Sequence, residues 1–178
     1  LNLILDMVPQ AIFWKDPEGI YLGCNRAFAA DVGLDNPAQI IGKTDFDLPW
    51  PWVEAEAYCV DDKEVLEGKR PKLHVIEQLQ QADGTRIWID ASKVPLYDAH
   101  GRPFALLGVY QDITKRKKSE EALAKILKLE QDIVLLQQLL LQPASLDAKL
   151  KTITEGIVQI FDADFCRIWV IKPGDLCE

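Results

Sequence analysis

The sequence predicts an α+β chain: a five-stranded antiparallel sheet with helices inserted after its second strand, then a long coiled-coil-type helix, then the opening helix and strand of a second, truncated unit. Three patterns lead there. Short runs of strand-forming residues are punctuated by Asp, Pro and Gly turns. A stretch of capped, helix-compatible residues separates the second run from the third. From residue 119 to 140 small or apolar side chains recur at alternating steps of three and four.

Taken in order, Ala11-Ile12-Phe13-Trp14 and Ile20-Tyr21-Leu22-Gly23-Cys24 flank Asp16-Pro17-Glu18-Gly19, which predicts a hairpin. Asn25 stands where an N-cap belongs, ahead of Ala27, Phe28, Ala29 and Val32 on a short helix ended by Gly33. Residues 36–52 carry three prolines, Gly42 and three aromatics, so they read as irregular chain or very short helices. Glu54 to Glu67 reads as a helix stopped at Gly68. Lys72–Leu79, Ile87–Pro95 and Phe104–Ile113 are strands joined by turns at Ala82-Asp83-Gly84 and Asp98-Ala99-His100-Gly101. The last is almost continuously apolar, which predicts a central strand.

Thr114 is placed to cap the long helix. Its stripe runs through Ser119, Ala122, Ile126, Leu129, Ile133, Leu136 and Leu140. Branched Ile126 and Ile133 at one seam position, with Leu129 and Leu136 at the other, suit a parallel two-stranded coil, so a homodimer is expected with Ile126, Leu129, Ile133, Leu136 and Leu140 along its seam. Leu123, Leu127, Val134, Leu135 and Leu139 widen the stripe, so an amphipathic helix packed on its own domain stays open as the alternative. Gln142-Pro143 breaks the helix. Ser145 then caps a helix to Phe161, and Phe165 to Ile171 reads as a strand. The expected divisions are 1–114, 115–142 and 143–178.

The 178 residues include 20 basic and 28 acidic side chains, a net charge of −8. That balance argues against a nucleic-acid partner, which needs a basic footprint, and against docking on anionic lipid. The charge is uneven: residues 1–114 are net −8, residues 115–144 net +2 and residues 145–178 net −2. No run is long and apolar enough to span a bilayer, and no signal peptide is legible, so no membrane contact is expected in this chain. It begins at Leu1 and stops after Pro173-Gly174-Asp175, which suggests a piece of a longer protein whose anchor, if any, lies elsewhere. Cys24, Cys59, Cys166 and Cys177 form no C-x-x-C pair and have no His at ligand spacing, so no metal site is expected; their scatter favours free thiols and a cytoplasmic location.

Residues 1–114 resemble a PAS sensor domain, on the strength of Asp16-Pro17-Glu18-Gly19, Asn25-Arg26-Ala27-Phe28, Ile41-Gly42-Lys43-Thr44-Asp45, Ala82-Asp83-Gly84-Thr85 and Asp112-Ile113-Thr114 in that order. The segment from 143 resembles the start of a GAF domain. PAS, helical linker and GAF in this order resemble sensor histidine kinases, and also diguanylate cyclases and phosphodiesterases. The resemblance implies signal reception: a small cavity between sheet and inserted helices, a sheet face that meets a partner subunit, and downstream output domains in the parent chain. It implies no catalysis by this segment, and no nucleophile–base pair, phosphate loop or paired catalytic carboxylates stand out in the residues.

Within that frame Trp14, Phe28, Tyr58, His74, Trp88 and Tyr110 are the candidate lining of a cavity for a small ligand, or simply core. The ligand is unknown. A haem-binding member would need an axial His on the inserted helix, and residues 54–67 contain none; His74 reads as a sheet residue. A photoactive flavin domain would need a Cys after the Asn, whereas here Cys24 precedes Asn25. Cys59 reads as a small core residue. Asp45 and Asp47 read as turn and capping residues rather than a metal pair, and Asp61 and Asp62 as neighbours on different helix faces that would not share an ion. Asp112, Thr114, Lys117 and Lys118 are the candidate coupling residues: Lys115 to Lys118 place four cations at a helix N-terminus, where the dipole prefers anions, making a weak joint that the acidic domain and Asp112 compensate. A ligand-free dimerisation and spacing module is the rival reading.

Overall fold

A computed structural model describes residues 2–68 and 70–169. The chain divides into two compact units, residues 1–117 and 118–178.

The first unit opens with a helix absent from the sequence reading, α1 (Asn2–Met7), followed by β1 (Ala11–Lys15) and β2 (Tyr21–Cys24). Then come α2 (Arg26–Asp31), two short 3-10 turns (Pro37–Ile40 and Asp45–Asp47) and α3 (Trp52–Gly68). Three strands complete the sheet: β3 (Lys72–Gln80), β4 (Arg86–Tyr97) and β5 (Pro103–Asp112). The spatial order is β2-β1-β5-β4-β3, all neighbours antiparallel, so the most apolar strand is the middle one. Gly84, at φ +84°, takes the left-handed corner of the β3–β4 hairpin that an Asp-Gly pair supplies at little cost.

The core lies between one sheet face and the inserted helices. The register makes Ala11, Phe13 and Lys15 of β1 face the same way as Leu106, Gly108 and Tyr110 of β5 and Ile89, Ala91 and Lys93 of β4. Phe28 of α2, 1% exposed, is the hub: its ring lies 4.9 Å from Phe13, 5.6 Å from Tyr21, 6.3 Å from Trp50 and 6.1 Å from Tyr110. Gly108 is needed for space, because a Cβ there would run into the Phe13 ring. Asn25 does more than cap α2. Its Oδ1 accepts from Phe28 N (3.1 Å) and Ile12 N (2.9 Å), while its Nδ2 donates to the carbonyls of Leu5 (3.0 Å) and Gln10 (2.8 Å). One buried amide thus ties α1, β1 and α2 together.

The helix α4 (Thr114–Leu141) begins in the first unit. In the second, Ser145 caps α5 (Leu146–Phe161), accepting from Ala148 N at 3.3 Å. Neither helix holds a fully buried side chain. Of the expected seam, Ile126 and Ile133 are exposed, whereas Leu129, Leu136 and Leu140 are half-buried. Leu136 packs against Gly156 of α5 in its own chain, where a Cβ would collide with it. Residues 165–169 form no strand, contrary to the reading of 165–171; residues 170 and 171, and Cys177 with the Pro173-Gly174-Asp175 turn, lie outside the described residues.

Candidate functional site

A cavity of about 40 Å³ lies on the helix-facing side of the sheet. It is lined by Phe13, Lys15 and Tyr21 of the first hairpin, Phe28 of α2, Asp45 and Trp50 before α3, Tyr58 of α3, and residues of β3, β4 and β5 that include Glu77, Ile89, Ala91, Lys93 and Tyr110. That volume holds roughly three waters or one molecule of three to four heavy atoms.

The sequence-named lining divides cleanly. Phe28, Tyr58 and Tyr110 border the cavity. Trp14, Trp88 and His74 do not, and strand parity explains the first two. Trp14 lies between the inward Phe13 and Lys15 and packs over Gly23 on the other sheet face. Trp88 lies between the inward Ile87 and Ile89, and the Lys117 ammonium sits 5.5 Å from its ring centroid. His74 occupies an irregular step of β3 at φ +56°, its side chain 80% exposed with Nδ1 3.3 Å from Asp90.

Charge is the feature the sequence reading missed. Lys15, 2% exposed, places Nζ 2.6 Å from both Asp45 Oδ2 and Asp62 Oδ2. Lys93 Nζ lies 2.6 Å from Asp62 Oδ1 and 2.8 Å from Asp61 Oδ2. So Asp61 and Asp62, expected to diverge, meet at one lysine: the ammonium comes in between the two faces. Asp45 also accepts from the Tyr21 hydroxyl (2.8 Å) and contacts Cys59 Sγ (3.5 Å). The chain of pairs links β1, the second 3-10 turn, α3 and β4 around the cavity. Lone buried charges would be prohibitive; here every one has a partner. The signal was available, since Lys15 and Lys93 fall at inward positions of otherwise apolar strands.

Burial governs the titrating groups. It pushes the Tyr21 and Tyr110 hydroxyls well above their ordinary range, with Asp45 and Asp31 respectively adding to the rise. It pushes the Cys24 thiol up to about 12 and raises Cys59 as well, which Asp45 reinforces, so neither is poised as a nucleophile. It also raises the Glu77 carboxyl, against the pull of Lys93. Asp61 goes the other way: burial raises it, but hydrogen bonds from Lys72 and Lys93 leave it below its usual value. Asp47 accepts from Thr44 N and Oγ1, both at 2.8 Å, and is lowered by them, as a turn-capping carboxylate should be. No group of His, Cys, Asp and Glu suited to a metal ion occurs among the described residues.

The exit from the sheet is tied to β4 next to the cavity. Thr114 Oγ1 accepts from Trp88 N and Ile113 N donates to Trp88 O, both at 2.8 Å. Thr114 therefore does not cap its own helix. That task falls to Asp112, whose Oδ1 accepts from Thr114 N at 2.7 Å and sets a carboxylate at the dipole end above the basic run. Trp88 neighbours Ile89, a cavity residue, so one strand position separates lining from joint.

The family model for the PAS fold matches residues 5–118. The aerobic respiration control sensor protein ArcB of Escherichia coli (strain K12) is 30% identical over 125 residues, covering 70% of this chain and 16% of that protein. The chain thus spans about a sixth of the length of that curated relative. Among solved structures, the VqmA dimer of Vibrio cholerae, described in the absence of its target DNA, superimposes with a TM-score of 0.58 at 25% identity, covering 63% of this chain and 51% of that one. The PAS domain of a Colwellia psychrerythraea protein gives 0.54 at 25% identity, covering 64% and 93%.

Proposed function

The chain belongs to the PAS fold family, and from that premise we propose that it is the sensory segment of a longer signalling protein, a sensor histidine kinase in the first instance. It takes a small molecule into the cavity between sheet and inserted helices and passes the change to α4. The supporting observation is the adjacency of Ile89, which lines the cavity, to Trp88, whose backbone N–H and C=O are both engaged by the start of α4. A shift of β4 on occupancy has to be felt by Thr114 and Ile113. Fold analogy alone would not assign a ligand; the paired, part-polar cavity is the reason for one.

In this reading α4 carries the signal in a homodimer. Ile126, 60% exposed, and Ile133, with Leu123 and Leu135 beside them, form apolar surface left exposed among the described residues, which suits a second copy. The PAS sensory fold is typically non-catalytic, and catalysis is assigned to domains beyond this segment. No helix among the described residues is long and apolar enough to cross a membrane. Free Cys24, Cys59 and Cys166 fit a reducing, cytoplasmic setting.

Native mass spectrometry of freshly purified protein tests the reading. The expected species has twice the 20.1 kDa chain mass and carries, or takes up from a small-metabolite extract, a noncovalent adduct. A strict monomer that binds nothing from such an extract would overturn it.

A further inference from the structure

The cavity's polar groups also say what kind of molecule it takes. Most are spent on one another: the Lys15 ammonium on Asp45 and Asp62, the Lys93 ammonium on Asp61 and Asp62, the Tyr21 hydroxyl on Asp45 and the Tyr110 hydroxyl on Asp31. Among the described residues one buried nitrogen donor is left without a partner. Trp50 lines the cavity at 8% exposure, and its Nε1–H is buried without a hydrogen-bond partner. A buried N–H in that state calls for an acceptor. The walls near it are flat and aromatic, with Phe28 and Tyr58 edge-on to the Trp50 ring at 6.3 and 5.7 Å.

Negative charge is what the site cannot add. An anionic ligand would be a further negative group beside two ammoniums already shared among three aspartates. A cation such as an amidinium carries no lone pair with which to accept from the Trp50 Nε1–H. Burial already pushes the Glu77 carboxyl at this cavity toward its neutral form, the direction expected where extra negative charge is disfavoured.

Resting on the sensor reading above, we propose that the cavity recognises a small, planar, uncharged molecule bearing a carbonyl or equivalent acceptor, of about four heavy atoms, bound through the Trp50 Nε1–H. Ketones and primary amides have this chemistry; the matching carboxylates and amidiniums have the shape without it.

Acetamide, acetate and acetamidinium form the corresponding test series, nearly identical in shape and differing in charge. Each is titrated separately to roughly 100 mM at neutral pH and constant ionic strength, a range set by the weak affinity so few atoms allow. The readout is heteronuclear NMR of the indole N–H signals, Trp50 being assigned with Trp50→Phe. Trp52, 69% exposed, serves as the control for bulk solvent effects. Acetamide should shift the Trp50 signal saturably, with a dissociation constant at least about tenfold below that of either ion, as charge-neutral recognition requires. Equal or tighter binding by acetate or acetamidinium would overturn the assigned class while leaving a ligand-binding sensor. No saturable shift of Trp50 with any of the three would remove both the class and the cavity as a ligand site.

Discussion

Replacing Lys15 with methionine is expected to cost about 3–5 kcal/mol of unfolding free energy at neutral pH, the range for breaking a buried ion pair from one side. Asp45 is 1% and Asp62 4% exposed, and Lys15 is the cation they share. Without it two carboxylates face each other in the core, with Lys93 alone to serve Asp62. Methionine preserves the volume, so the loss reports charge rather than packing. Adding Asp45→Asn to Lys15→Met should restore part of the stability. Urea unfolding at neutral pH measures both. A deficit under about 1 kcal/mol would be that of a solvated surface pair and would contradict the buried network.

The second large effect belongs to Asn25→Ala. The side chain is 1% exposed and holds two backbone donors and two carbonyls at 2.8–3.1 Å. Its removal leaves Ile12 N–H and the Leu5 and Gln10 carbonyls to find new partners, and takes the cap from α2. At about 1–3 kcal/mol for each stranded group, a total near 3–5 kcal/mol follows after partial relaxation. Thermal unfolding should fall by 10 °C or more, on the scaling of roughly 4 °C per kcal/mol for a unit of this size. Asn25→Ser retains a capping oxygen but does not reach α1, and should fall between the two. Equal stability of Asn25→Ser and the parent would show that the reach to α1 contributes nothing.

Local rules carried the fold. Turn chemistry at Asp16-Pro17-Glu18-Gly19 and Asp83-Gly84 placed the hairpins, and the apolar run of Phe104–Ile113 identified the central strand. The site was less legible because it depends on parity and on distant pairing. Trp14 and Trp88 looked like cavity walls by composition, yet each sits one residue out of phase with Phe13 and Ile89. The same parity marks Lys15 and Lys93 as inward, but nothing local says that Asp45 and Asp62 come to meet them. Asn25 was readable as a cap; its reach to Leu5 and Gln10 required α1, a helix of six residues too short to announce itself by periodicity. Thr114 reads as a cap from its position, yet its hydroxyl serves Trp88 and Asp112 does the capping. Leu136 meets Gly156 of its own chain, and the stripe is equally compatible with a partner's helix. The leucine stripe alone cannot distinguish those neighbours.

The central claim is that the state of the cavity reaches α4 through Trp88 and Thr114. Ala91 lines the cavity at 8% exposure, so Ala91→Val places two extra methyl groups there and stands in for occupancy. The direct measurement is amide hydrogen exchange of residues 115–118 in the parent, in Ala91→Val, and in Ala91→Val with Thr114→Val. The account predicts that Ala91→Val changes exchange at these amides by about fivefold, the equivalent of one net hydrogen bond. It also predicts that Thr114→Val, which removes no cavity residue, abolishes the change. Unaltered exchange at 115–118 in Ala91→Val, with altered exchange along 87–93, would contradict it.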